Sequence, residues 1–152
     1  DFRAFDDSDW KSRASDVSAA CEALVREGCE SGAIGAVGEG FGGSLVFDAA
    51  ARGAVASAVL VSTELESRGI ALMAILEKTE RVPTLVIASE GDSAGVTAGE
   101  RLESAASGFF EYRMYPGNSF GADLIANSES AAVQIVQWFE QTLPSPALSD
   151  RD

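Results

Sequence analysis

Apolar and polar positions along the chain switch repeatedly between a helical and an extended period. Val17, Ala20, Cys21 and Leu24 recur at intervals of three and four, which predicts a helix capped by Ser15 or Asp16 and stopped at Gly28. Residues 33–37 form a short apolar run that reads as a buried strand and leads into Gly38-Glu39-Gly40-Phe41-Gly42-Gly43. A helical stretch over 44–51 closes at Gly53. Residues 55–62 predict a second strand, and 70–78 a strongly apolar helix. Pro83 separates that helix from a third strand over 84–88. A polar-faced helix is expected over 97–106. A fourth strand over 109–115 puts Phe110, Tyr112 and Met114 on one face and Glu111 and Arg113 on the other. The last helix begins near Ser128, repeats Ala132, Ile135, Val136, Phe139 and Leu143, and stops at Pro144.

Strands alternating with helices call for a parallel sheet covered on both faces. The expected architecture is therefore one α/β domain over residues 1–143, three-layered, with a short, mostly parallel sheet in chain order. Residues 144–152 read as a C-terminal tail.

Composition narrows the chemistry. Of 152 residues, 46% are hydrophobic and 23% charged, as in a globular protein. Eleven Lys and Arg against 24 Asp and Glu leave a net charge of −13, which makes nucleic acid a poor partner. There is no apolar run of ~18 residues and no basic-then-apolar leader, so a cytoplasmic location away from membranes is expected. The chain has no histidine. Without imidazole there is no Ser-His-Asp or Cys-His machinery and no His-ligated metal, and neither a metal nor a cofactor is expected. Cys21 and Cys29 read as two small buried hydrophobes placed too far apart to bridge easily.

Four short segments, in chain order, resemble signature segments of the α/β-hydrolase family. The first is Asp1-Phe2-Arg3-Ala4-Phe5-Asp6-Asp7-Ser8, similar to a D-x-R-G-x-G-x-S turn with Ala4 and Asp6 at the glycine positions. The second is Gly38-Glu39-Gly40-Phe41-Gly42, similar to the nucleophile elbow G-x-S-x-G with Gly40 where the serine stands. Ser89-Glu90-Gly91-Asp92 resembles the loop that carries the catalytic acid, which makes Asp92 the retained member. Pro116-Gly117-Asn118-Ser119-Phe120-Gly121 resembles the loop that delivers the histidine, with Phe120 in its place.

The resemblance implies a fold like the C-terminal half of an α/β-hydrolase, beginning about where the family's fourth strand ends. It implies catalytic positions at Gly40, Asp92 and Phe120, of which only Asp92 keeps its residue type, and half an oxyanion hole at the Phe41 N–H. Phe120 is expected as a core plug that narrows the former pocket, with Glu39 and Glu90 solvated. In the family's strand order the strand over 33–37 lies mid-sheet, so here one of its edges is bare and apolar; it is expected to recruit a second copy or a separate polypeptide, unless the chain is a fragment of a longer one. The function implied is non-catalytic: a pseudoenzyme or interaction domain. Two alternatives stay open. One is descent from an active esterase whose serine and histidine were replaced. The other is a dinucleotide-binding domain. Gly38-Glu39-Gly40-Phe41-Gly42-Gly43 also satisfies G-x-G-x-x-G, with Glu64 closing the next strand about where a ribose-binding acid sits in such a domain.

Overall fold

The computed structural model describes residues 5–145. Two helices, α1 (Asp7–Ser12) and α2 (Ala14–Arg26), precede strand β1 (Gly35–Glu39) and helix α3 (Phe41–Ala51). Strand β2 (Ser57–Val61) leads to a two-stranded hairpin, β3 (Glu66–Ser67) and β4 (Ile70–Ala71), and to the short helix α4 (Leu72–Ile75). Strand β5 (Thr84–Ser89), helix α5 (Ser93–Ala105), strand β6 (Phe110–Tyr115) and helices α6 (Gly121–Asn127) and α7 (Glu129–Thr142) complete the order.

The main sheet has four strands in the order β1-β2-β5-β6, every pair parallel. Each connection therefore steps one strand in the same direction, and right-handed crossovers put the connecting helices on one face. The core obeys that geometry. Ala58 and Leu60 of β2 and Val86 of β5 pack with Phe47 of α3, Leu102 of α5 and Cys21 of α2. Val59, Val61, Leu85 and Ile87, the alternate residues of the same strands, pack under Leu124 of α6 and Ile135 and Trp138 of α7. Both central strands, β2 and β5, are buried along their whole length. That is why their sequences read as unbroken apolar runs rather than alternating ones.

The expected three-layer α/β architecture stands, with local differences. Helix α3 starts at Phe41, three residues early, because the chain turns straight from β1 into it and Gly42 and Gly43 are carried in its first turn. The first strand lies at Gly35–Glu39, after a 3₁₀ turn over Ser31–Ala33. Residues 70–78 are not one helix. They begin as β4, whose hairpin with β3 turns through Arg68 and Gly69, both at positive φ (49° and 75°), as a two-residue turn of the primed type requires. Helix α5 starts four residues early because Asp92 caps it. Helix α2 has neither Ser15 nor Asp16 as its cap; Arg13 stands there with no side-chain cap bond. Cys21 is buried, but Cys29 is exposed just beyond the α2 end, and both are free thiols. No helix among the described residues is long and apolar enough to cross a membrane.

Of the first hydrolase-like segment, residues 1–4 lie outside the described residues, as do 146–152 of the expected tail. From Asp6 on the segment forms the start of α1, where the Asp6 carboxylate accepts from the Asp9 N–H (2.9 Å) and the Asp9 carboxylate accepts from the Asp6 N–H (3.1 Å). This reciprocal pair is a carboxylate version of the capping box. Trp10 then anchors α1 edge-on against Phe41, with ring centroids 5.6 Å apart.

Candidate functional site

In a parallel sheet the loops leaving the carboxyl ends of the strands meet above one edge of the sheet. Here the ends of β1, β2 and β5 and the loop after β6 surround one cleft of about 570 Å³. Gly40, Asp92 and Phe120, the three positions singled out from sequence, all line it, with Glu39, Ser62 and Glu64 among their neighbours.

Gly40 sits at φ +49° and ψ −122°, between the last residue of β1 and the first of α3. That backbone state is open to glycine and strained for any residue with a Cβ. A Cβ at Gly40 would meet nothing within 4 Å, so the strain is of the backbone alone. Gly38 is required for a different reason: a Cβ there would overlap the backbone of Gly42 and Gly43. The Gly40 N–H donates to the Val61 carbonyl (2.9 Å), which ties the corner to β2. The corner thus has the sharp strand-to-helix turn of a nucleophile elbow and presents a hydrogen atom where a side chain would project. Phe41 opens α3, so its N–H is one of the first-turn donors without an intrahelical acceptor. Its side chain turns away to Trp10.

Asp92 is 4% exposed and serves the fold directly. Its Oδ1 accepts from the Gly95 N–H (2.9 Å), capping α5, while Oδ2 has no hydrogen-bond partner among the described residues. Tyr112 lies behind it on β6 with its hydroxyl likewise unpartnered. Burial pushes the Tyr112 phenol above its ordinary value, and the charges of Glu100, Asp92 and Glu103 push it further.

Phe120 is not a core plug. It is 54% exposed at the rim of the cleft, because the residue stands extended (φ −121°, ψ 148°) just before α6 and its ring points away from both cores. The loop that carries it is held from below instead. The Ser62 hydroxyl accepts from the Gly121 N–H (2.9 Å), and the Glu39 carboxylate accepts from the Ala122 N–H. Glu39 and Glu90 are both exposed, as expected, and Glu39 in addition bonds across the cleft. The acid loop docks on the same segment, with the Gly91 N–H donating to the Gly117 carbonyl (2.9 Å) and Gly91 lying against Asn118.

Ser62 and Glu39 were not legible as site residues. Ser62 is a non-glycine residue at φ +50°, a strained state that a serine at the end of an apolar strand does not announce. Glu39 occupies a variable position of the elbow pattern, and its bond to Ala122 spans more than eighty residues.

Chemically the cleft is acidic. Glu39, Glu64, Asp92 and Asp123 line it, and no Lys or Arg does so among the described residues. Its hydroxyls are Ser62 and Ser93, with no imidazole anywhere in the chain to serve as a base. No group of three or more His, Cys, Asp or Glu among the described residues is placed to hold a metal ion.

No protein-family model matches the chain, and no curated protein matches it. A solved structure does: the crystal structure of a dienelactone hydrolase from Anabaena variabilis ATCC 29413, at 20% sequence identity and a TM-score of 0.59. The match covers 72% of this chain and 50% of that one. The fold is a partial α/β-hydrolase-like one. At this identity the likeness speaks for architecture, and the chain spans half the length of that neighbour.

Proposed function

We propose that this chain is a catalytically degenerate α/β-hydrolase-like domain, a pseudoenzyme or interaction domain that acts through a sheet edge rather than through acyl transfer. The observation that carries the reading is Gly40: the elbow keeps its strained backbone and offers no atom that can attack a carbonyl. Phe120 stands on the loop where the resemblance places a base, and it can neither take nor give a proton. An acid without a nucleophile and a base leaves only binding-type acceleration. Descent from an ester-cleaving enzyme is the natural source of such a corner. The bare edge of β1 is the surface such a domain has to offer, to a second copy or to a polypeptide that supplies further strands.

The dinucleotide reading of Gly38 to Gly43 is weaker on two counts. The strand order β1-β2-β5-β6 never reverses, so the described sheet has no switch point of the kind at which dinucleotides bind. A pyrophosphate at this corner would also face the Glu39, Glu64, Asp92 and Asp123 carboxylates without a cation. Hydrolysis of p-nitrophenyl acetate tests the proposal, with background rates expected from purified protein. Turnover that tracks the protein and vanishes in Asp92→Asn would sink it. Titration with NAD, NADP and FAD is expected to give flat traces.

A further inference from the structure

Helices α5 and α7 begin on caps of their own, Asp92 accepting from Gly95 and Ser128 from Ala131. Helix α6 does not. Phe120 stands at its N-cap, extended and with no side-chain oxygen to offer. Its seven residues are too few to hold a helix by local bonding alone. The first two N–H groups of α6 are met from other loops instead. The Ser62 hydroxyl accepts from Gly121 (2.9 Å) across 59 residues of sequence, and the Glu39 carboxylate accepts from Ala122 across 83. Backbone conformation is adapted to this contact. Gly121 stands at φ +53°, and a Cβ on it would overlap the Glu39 carboxylate. Ser62 is held at φ +50°, a state that persists only where its surroundings fix it.

The segment these bonds hold runs along the cleft, and its two ends are pinned separately. The Gly117 carbonyl accepts from Gly91, and Leu124 is buried in the core under α6 and α7. Between the pins Phe120, Ala122 and Asp123 are exposed. Among the described residues, the bonds to Ser62 and Glu39 are the hydrogen bonds that tie 119–123 to other loops. Of the two acceptors only Glu39 is charged. The charged groups that share the cleft with it are Glu64 after β2, Asp92 before α5 and Asp123 in α6, with no Lys or Arg among the described lining residues. Glu39 is therefore held at α6 by the N–H it accepts from and not by an opposite charge. A charged acceptor makes such a bond about twice as strong as a neutral one.

We propose that residues 119–123 are a strap latched along the cleft by the Glu39 charge, and that acid opens it. Charged, Glu39 holds Ala122 and the strap walls the cleft. Protonated, it becomes a weaker acceptor, the first turn of α6 frays, and the strap swings from Gly117, at φ +105°, while Leu124 stays seated. The bond favours the charged form, so the latch is whole at neutral pH and is lost as the pH falls. Gly40, Asp92 and Phe120 line the same cleft, so the latch governs access to all three. It does so whether or not the cleft is catalytic.

Hydrogen exchange followed over residues 119–123, corrected for the intrinsic effect of pH, tests this. At neutral pH, Glu39→Ala should speed exchange there about tenfold, the lower end for a bond to a charged group because Glu39 is exposed. Glu39→Gln keeps a neutral acceptor and should speed it about threefold. Exchange in β5 and α7 should not change in either variant. Between about pH 7 and about pH 4, where carboxylates take up protons, the wild-type strap should lose protection and the Glu39→Gln strap should not. Ser62→Ala should loosen the strap and keep the acid response. An acid response that survives in Glu39→Gln, a strap unchanged in Glu39→Ala, or an equal loss of protection in β5 and α7 would each overturn the proposal. Ester turnover by the wild type would instead sink the non-catalytic reading and leave the latch standing.

Discussion

Three glycines in one corner should respond to the same substitution in three different ways. At Gly40, alanine adds a Cβ to open space but must adopt φ +49° with ψ −122°. The cost is backbone strain alone, about 2 kcal/mol within the ~1–3 kcal/mol expected of a residue held in a sparsely populated state. At Gly42, inside the first turn of α3, a Cβ also meets nothing within 4 Å, and φ is not positive. Alanine there should stabilise by roughly 0.4–1 kcal/mol, through lower entropy of the unfolded chain. At Gly38 a Cβ overlaps the Gly42 carbonyl and the Gly43 nitrogen, which are backbone atoms that cannot rotate aside. The cost should be about 3 kcal/mol or more, since the strand and the helix must part. Thermal unfolding followed by circular dichroism reads all three. At roughly 2–4 °C per kcal/mol for a chain of this size, the midpoint should fall by about 4–8 °C for Gly40→Ala and rise by about 1–4 °C for Gly42→Ala. Gly38→Ala should fall furthest. A Gly40→Ala variant as stable as the wild type would refute the elbow geometry, and with it the assignment of position 40. So would a Gly38→Ala variant no worse than Gly40→Ala.

Asp92 should separate cap from charge: Asp92→Asn keeps an acceptor for the Gly95 N–H and should hold stability better than Asp92→Ala, which is expected to lose about 1 kcal/mol in urea unfolding. The two tyrosines, Tyr112 and Tyr115, should both titrate above the ordinary value of 10.0, because burial raises each phenol and the Arg113 charge offsets the second only in part. A phenol whose folded value is raised contributes stability that is whole below pH 10 and is lost as the pH climbs through the folded value. Phenolate absorbance on an alkaline titration should therefore rise late and together with unfolding, and Tyr112→Phe should flatten that loss.

The alternation of strands and helices was legible because β2 and β5 are buried on both faces, so their apolar runs had to be continuous. The sharp turn after β1 was legible because glycine at 38 leaves room for the backbone of α3 and glycine at 40 takes a positive φ. The hairpin over 66–71 was not: Ile70 to Ile75 is apolar throughout, and a two-residue turn at Arg68-Gly69 changes direction without changing composition. The Phe120 plug failed for a related reason. An aromatic residue in a loop is apolar wherever it points, and its direction was set by bonds from Ser62 and Glu39 to the next two amides. Those bonds join residues far apart in the chain, and no local pattern reports them. Cys29 was misplaced by the same limit, since a cysteine one residue past a helix stop carries no periodicity to say which way it faces.

The glycine-rich corner after β1 is not itself a sign of catalysis. Gly38 lies against Gly42 and Gly43, Gly43 lies against Thr63, and the Gly40 N–H holds Val61, so the corner is the joint at which β1, α3 and the end of β2 meet. Enlarging Gly38 or Gly43 would open that joint whatever stood at position 40. The corner therefore needs the two flanking contacts whatever its chemistry. A serine at position 40 would be strained by the same φ and ψ that cost alanine about 2 kcal/mol, and glycine relieves that strain. On the proposed non-catalytic reading, stability alone favours glycine there. Gly40→Ser with Phe120→His should accordingly give a less stable protein. It should gain ester turnover only when a donor for the second half of the oxyanion hole is supplied as well, because the hydrolase resemblance gives the Phe41 N–H as one half of that hole.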